Sequence, residues 1–83
     1  MTHELKILPQ YFQAVWDEKK RFKVRKNDRD FQVGDTLILR EWDNKTKRYS
    51  GSALLVKVVY MLTDSIDGIE YGYCVLGIER FGR

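Results

Sequence analysis

Seven cations crowd one short stretch of this chain: Lys19, Lys20, Arg21, Lys23, Arg25, Lys26 and Arg29, with Asp28 the lone anion among them. The stretch carries +6, while the whole 83-residue chain carries +3, so the remainder is slightly acidic. A basic segment on an acidic body suits an anionic partner, although the same pattern also serves as a solvated, solubilising edge. Lys20, Lys23, Arg25, Lys26 and Arg29 are of the right type to hold phosphates. The planar fork of Arg25 can do so through two parallel hydrogen bonds. Asn27 offers a polar contact to a base. The ordinary alternatives are a turn role for Asn27 and Asp28, with side chains bonding local backbone, and an ion pair from Arg25 to Asp35 or Glu41.

Aromatic residues add a second kind of chemistry. Trp42 and Tyr49 flank the polar run Asp43-Asn44-Lys45-Thr46-Lys47. Rings beside a basic face stack on bases, worth roughly 1–3 kcal/mol per base. Trp42 shares strand parity with Ile38, so packing is its alternative role. Catalytic and metal chemistry find little support. His3 is the only histidine and Cys74 the only cysteine, so neither a metal site nor a Ser-His-Asp set can be assembled around them. Cys74 sits in an apolar run and reads as a small buried hydrophobe. Neither a phosphate-binding loop motif nor a dinucleotide glycine fingerprint is present, and no cofactor is expected. A single cysteine fits a reducing, cytoplasmic setting. The opening residues lack a secretory apolar segment, and no apolar run approaches the roughly 20 residues of a membrane helix.

The elements that must position these residues follow from periodicity. Residues 3–8 alternate, with Leu5 and Ile7 on one side and Glu4, Lys6 and Leu8 on the other, as in a strand. Pro9 suits the first turn of a helix. Phe12, Val15, Trp16 and Lys19 then recur at helical spacing, so residues 9–20 read as a short amphipathic helix whose aromatic stripe faces the core. Residues 21–26 alternate again. Arg21, Lys23 and Arg25 share one side at intervals of about 6.6 Å, a ladder able to follow a sugar–phosphate backbone. Turns are expected at Asn27–Asp30 and Val33–Asp35, then a strand over 36–42 and a hairpin tip over 43–47. A well-buried strand is expected over 53–62, a turn at Asp67-Gly68, and a last strand over 71–81 with Tyr71 and Tyr73 buried on one face. Gly72 and Gly77 suit bulges or close approaches. The chain is short enough that one domain over residues 1–83 is expected, with most large apolar residues committed to its core. The fold class is mainly β with one or two short helices (α+β), as a small β-barrel whose closure removes exposed strand edges.

The residues Leu5-Lys6-Ile7-Leu8-Pro9, Tyr11-Phe12, Val15, Lys20, Phe22, Val24-Arg25-Lys26-Asn27-Asp28-Arg29, Phe31 and Val33-Gly34-Asp35 form a pattern that continues through Leu39, Glu41-Trp42, Tyr49, Gly51, Gly72-Tyr73 and Val75-Leu76-Gly77-Ile78. This pattern resembles the ASCH branch of the PUA-like superfamily, and within it the bacterial and phage domain-of-unknown-function family 3850. The resemblance implies a PUA-like β-barrel, and RNA or single-stranded nucleic acid as the partner. It also implies that the strand carrying His3 and Lys6 lies beside the basic strand, so that both residues line one cleft. Some ASCH relatives resemble small hydrolases of modified nucleosides, in which a lysine matching Lys20 works with a polar residue matching Lys23. Two departures stand out. The family's helix usually ends in a Gly-x-Lys turn, and Glu18 occupies the glycine position. Lys23 replaces Glu or Thr, which removes a proton acceptor and adds a cation. Both point to a binding module rather than an enzyme. A hydrolase of nucleosides or nucleotides and a domain docking an acidic protein remain the alternatives.

Overall fold

A computed structural model describes residues 1–81. The chain runs through β1 (Thr2–Ile7), α1 (Pro9–Trp16), β2 (Phe22–Lys26), β3 (Thr36–Asp43), β4 (Arg48–Thr63) and β5 (Tyr73–Arg80). The strands form one sheet in the order β1-β3-β4-β5-β2, parallel between β1 and β3 and antiparallel elsewhere. The sheet curls into a half-barrel. Instead of pairing with each other, β1 and β2 form its two edges, and the connection between them is α1.

Alternation fixes the core. Leu5 and Ile7, Leu37 and Leu39, Leu54, Val56 and Val58, and Cys74, Leu76 and Ile78 all face the concave side and are buried. Phe12 and Val15 of α1 and Phe31 of the β2–β3 connection complete this cluster. Trp16, expected in the core with them, is nearly half exposed, as is Tyr11 beside it; an eight-residue helix has too narrow a buried stripe for all four. β4 is buried on one face only: Leu55, Val59 and Tyr60 are exposed, because among the described residues no element covers the convex side. A bulge between Val58 and Tyr60 resets the parity, so that Val58 and Met61 both meet the core. Opposite it lies Gly77, where an added Cβ would stand 3.3 Å from the Tyr60 Cβ. Tyr71 precedes β5 in a turn and is 92% exposed, contrary to the expected burial.

Pro9 opens α1 without wasting a donor. The helix stops at Trp16, earlier than the periodicity suggests, for a local reason. Glu18 adopts a left-handed φ of 60°. Its N–H donates to the Val15 carbonyl at 3.0 Å, and that of Lys19 donates to Ala14 at 3.0 Å. These are the two bonds of a Schellman cap, whose turning residue is ordinarily glycine. A Cβ in this conformation costs on the order of 1 kcal/mol. Glu18→Gly should therefore be more stable than Glu18→Ala by about 1 kcal/mol in urea unfolding, a comparison in which both variants lack the glutamate side chain. Equal midpoints would refute the strain.

Candidate nucleic-acid interface

β2 is where alternation meets the edge of the sheet. Arg25 is registered against Cys74 and Lys23 against Leu76, both fully buried. The two cations thus extend the concave apolar rows outward, resting their stems on the core and turning their heads to the rim. Phe22 and Val24 occupy the convex side, 47% and 55% exposed. The expected commitment of large apolar residues to the core fails here, since the parity of the strand gives its inward positions to cations. Of the three-rung ladder, Lys23 and Arg25 lie on the concave side of β2, while Arg21 precedes the strand.

Where the two edges approach across the open side of the half-barrel, a cleft of about 270 Å³ is lined by Glu4, Leu5, Lys6, Arg25, Arg29 and Tyr49. β1 supplies Lys6, β2 supplies Arg25, the following loop supplies Arg29, and β4 supplies Tyr49. The Arg29 guanidinium donates to the Glu4 carbonyl at 2.7 Å, tying that loop to the free edge of β1. Arg25 lies 3.7 Å from Asp28, not against Asp35 or Glu41, and its guanidinium stands 5.8 Å from the Phe31 ring centroid. Its Nε is buried without a hydrogen-bond partner. Trp42 joins through its neighbours: the Lys6 ammonium sits 4.0 Å from the Trp42 ring, and Trp42 meets Tyr49 edge-on at 4.8 Å.

Arg40 belongs to the same cluster, stacked 3.8 Å from Tyr49 and paired with Glu4 at 2.8 Å. Sequence reasoning missed Arg40 and Glu4. Only the parallel pairing of β1 with β3, which sets Lys6 beside Arg40, brings them in.

The other expected site residues are dispersed. Lys20 donates to the Phe22 carbonyl at 2.7 Å and lines a separate cleft of about 810 Å³, beside Glu18, Arg21 and Arg80. Lys26 is exposed at the end of β2. Asn27 takes a turn role, its Oδ1 accepting from the Phe31 N–H at 3.3 Å. His3 does not line the cleft: it is 6% exposed, and its Nε2 lies 2.9 Å from the Asp35 carboxylate. Leu5 and Ile7 share its inward parity, so His3 is a core residue with a polar partner. Cys74 is buried as expected, and burial pushes its thiol up, away from thiolate chemistry.

Burial lowers the Lys20 ammonium from its ordinary range. Lys23 is lowered further, to about 8, by burial first and then by the charges of Lys20 and Arg25. The unfolded chain therefore holds more protons between about pH 8 and 10.5, so this residue adds stability as pH rises through that window. A bound anion favours the charged amine, so affinity should change in the opposite sense. Polyanion binding is expected to weaken by up to about tenfold from pH 7 to 9 beyond any change in a Lys23→Arg variant, whose charge persists. Identical pH profiles for the two proteins would remove Lys23 from the interface.

The family model described as Domain of unknown function (DUF3850) matches residues 2–78. The chain belongs to this family. Over 40 residues, 48% of the chain, it is 52% identical to an uncharacterized 12.9 kDa protein in the GpA 3′ region of Escherichia phage P2. That match spans 37% of the phage protein's length. The fold is similar to the crystal structure of hypothetical protein PH0355, with a TM-score of 0.69 at 19% identity, covering 96% of this chain and 99% of that one. At that identity the likeness concerns the fold alone. Among the described residues no helix is long and apolar enough to cross a membrane.

Proposed function

We propose that this member of the family is a binding module for RNA or another single-stranded nucleic acid, and that its half-barrel is of the ASCH type within the PUA-like superfamily. The observation that carries the reading is the convergence of Lys6 from β1 with Arg25 and Arg29 from β2 and its following loop on one cleft beside the Trp42–Tyr49 pair. Cations with a neighbouring aromatic platform are the combination that grips a backbone and stacks an unpaired base. Arg29 is held by the Glu4 main-chain carbonyl, Arg25 faces Asp28, and Lys6 rests on the Trp42 ring. The reading is tested by fluorescence-anisotropy titration with single-stranded RNA, duplex RNA and single-stranded DNA at two salt concentrations. Affinity for the single strands that falls steeply with salt supports it; no binding to any of the three overturns it.

A second reading, hydrolysis of a nucleoside or nucleotide, draws on the lowered ammonium of Lys20. Desolvation, rather than crowding by other cations, is the cause of that lowering. Turnover that persists unchanged in Lys20→Ala would eliminate this reading.

A further inference from the structure

The outer edge of β2 is open. The Ile78 N–H donates to the Arg21 carbonyl at 2.9 Å, and the Asn27 N–H to the Gly72 carbonyl at 2.8 Å. In this antiparallel register the odd-numbered residues of β2 therefore spend their backbone groups on β5, and those of Phe22, Val24 and Lys26 point away from the sheet. The Phe22 carbonyl is held by the Lys20 ammonium at 2.7 Å, which confirms its outward direction. Among the described residues, no strand lies across from the groups of Val24 and Lys26.

Side chains on the two faces of this edge differ sharply. On the convex side, Phe22 and Val24 continue apolar rows that cross the sheet, Val24 with Val75 and Leu62, and Phe22 with Gly77 and Tyr60. Tyr60 is 64% exposed and Val24 55%. On the concave side the edge presents Lys23 and Arg25. A second copy of the chain is a poor occupant. Pairing two β2 strands about Val24 sets Lys23 opposite Arg25 of the other copy at both ends, and like charges directly opposite repel.

We infer that β2 accepts an extended peptide of alternating acidic and apolar residues as a sixth strand. Strand addition supplies main-chain hydrogen bonds to Val24 and Lys26. The peptide's apolar residues extend the convex rows beside Phe22 and Val24. Its acidic residues fall opposite Lys23 and Arg25, at the closely spaced positions of the new pair if it is antiparallel. The partner class is thus an acidic, strand-forming segment of another protein, selected by alternation and not by charge alone.

The test uses the full chain and an eight-residue peptide of alternating valine and glutamate, against a control of the same composition with its four valines and four glutamates in blocks. Saturable binding of the alternating peptide, at least about tenfold tighter than the control, is expected. So is slowed hydrogen exchange at the Val24 and Lys26 amides on adding the alternating peptide. Val24→Pro removes only an outward N–H, a substitution that edge strands tolerate, and should abolish peptide binding while leaving all the cations in place. Because the exchange measurement is made on the unaltered protein, it decides the matter even where Val24→Pro unfolds. Equal affinity for the two peptides, or unchanged exchange at those amides, would overturn the inference. Protection of the same amides by oligouridylate and not by peptide would also overturn it, assigning the edge to nucleic acid.

Discussion

Replacing Lys6, Arg25 and Arg29 together with alanine should weaken binding to single-stranded RNA by roughly 100-fold or more at low salt, three charge-assisted contacts being worth at least about 1 kcal/mol each. Salt dependence provides the sharper test. Each phosphate contact on a single strand contributes about −0.7 to the slope of log affinity against log salt, so loss of three should flatten that slope by about 2. Lys57→Ala is the matched control. Lys57 is exposed on the convex face, registered between Thr36 and Glu79, away from the cleft. Its removal should change affinity no more than weak long-range electrostatics allow, about twofold. A triple variant that binds with undiminished affinity and slope would place the interface elsewhere, with the Lys20 cleft the next surface to probe. Arg29 also ties its loop to β1, so thermal unfolding of the variant must be followed alongside. A loss of affinity in a protein that remains folded at the assay temperature is the expected result.

The second large effect is on stability. Asp35 is 5% exposed and gathers three donors: its Oδ2 lies 2.9 Å from the His3 Nε2 and accepts the Gln32 N–H at 3.0 Å, and its Oδ1 accepts the Met1 amino group at 3.0 Å. Its main chain is equally committed, the carbonyl accepting the Val58 N–H at 2.8 Å. One residue thereby joins β1, the turn before β3, and β4. Burial by itself would raise this carboxyl; the hydrogen bonds from His3, Gln32 and the Met1 amino group, with the charge of the last, more than offset it and hold the group at about 2. Asp35→Asn keeps the size but turns an N–H₂ toward at least one of these donors. The expected loss is about 3 kcal/mol at neutral pH, the upper end of the scale for leaving buried hydrogen-bonding groups unpaired. In a domain of this length that lowers the melting temperature by more than about 10 °C. The pH dependence follows from linkage. The native carboxyl holds its proton less tightly than the unfolded one, so its contribution is fully present above the ordinary value of 3.8 and disappears as pH falls through about 2. The gap between the native protein and Asp35→Asn should thus narrow from pH 4 to pH 2. A variant within 0.5 kcal/mol of the native protein, a difference typical of neutral surface changes, would show that the cluster contributes no net stability.

Asp35 also illustrates how packing redirects a residue that sequence alone places elsewhere. The family resemblance implies that His3 lines the cleft with Lys6, yet its inward parity on β1 and the Asp35 carboxylate make it part of the core. The same parity rule works in favour of Lys6, which alternates outward and reaches the cleft.

Local signals are enough for much of the architecture. Alternation marks β1 and β2, and apolar runs bounded by turn residues mark β3, β4 and β5. Pro9 marks the start of α1 because it loses nothing by lacking an N–H there. The polar run 43–47 marks the hairpin tip, where the Asp43 carboxylate caps the N–H groups of Lys45 and Thr46. Family membership is likewise carried by the residue pattern itself. Three matters needed the tertiary structure. The pairing of β1 with β3, separated by the helix, β2 and a long loop, is non-local and leaves no trace in periodicity. It alone sets Arg40 beside Lys6 and within reach of Glu4. Phe31 sits in a stretch with no strand or helix period, yet it is 1% exposed, because the loop folds back across the end of the core. Finally, alternation states that Phe22 and Val24 oppose Lys23 and Arg25 but not which pair looks inward. That was decided by position. At the last strand of an open half-barrel, long cationic side chains can cover the rim of the core and still reach water, and among the described residues no layer lies above the convex face to claim the apolar pair.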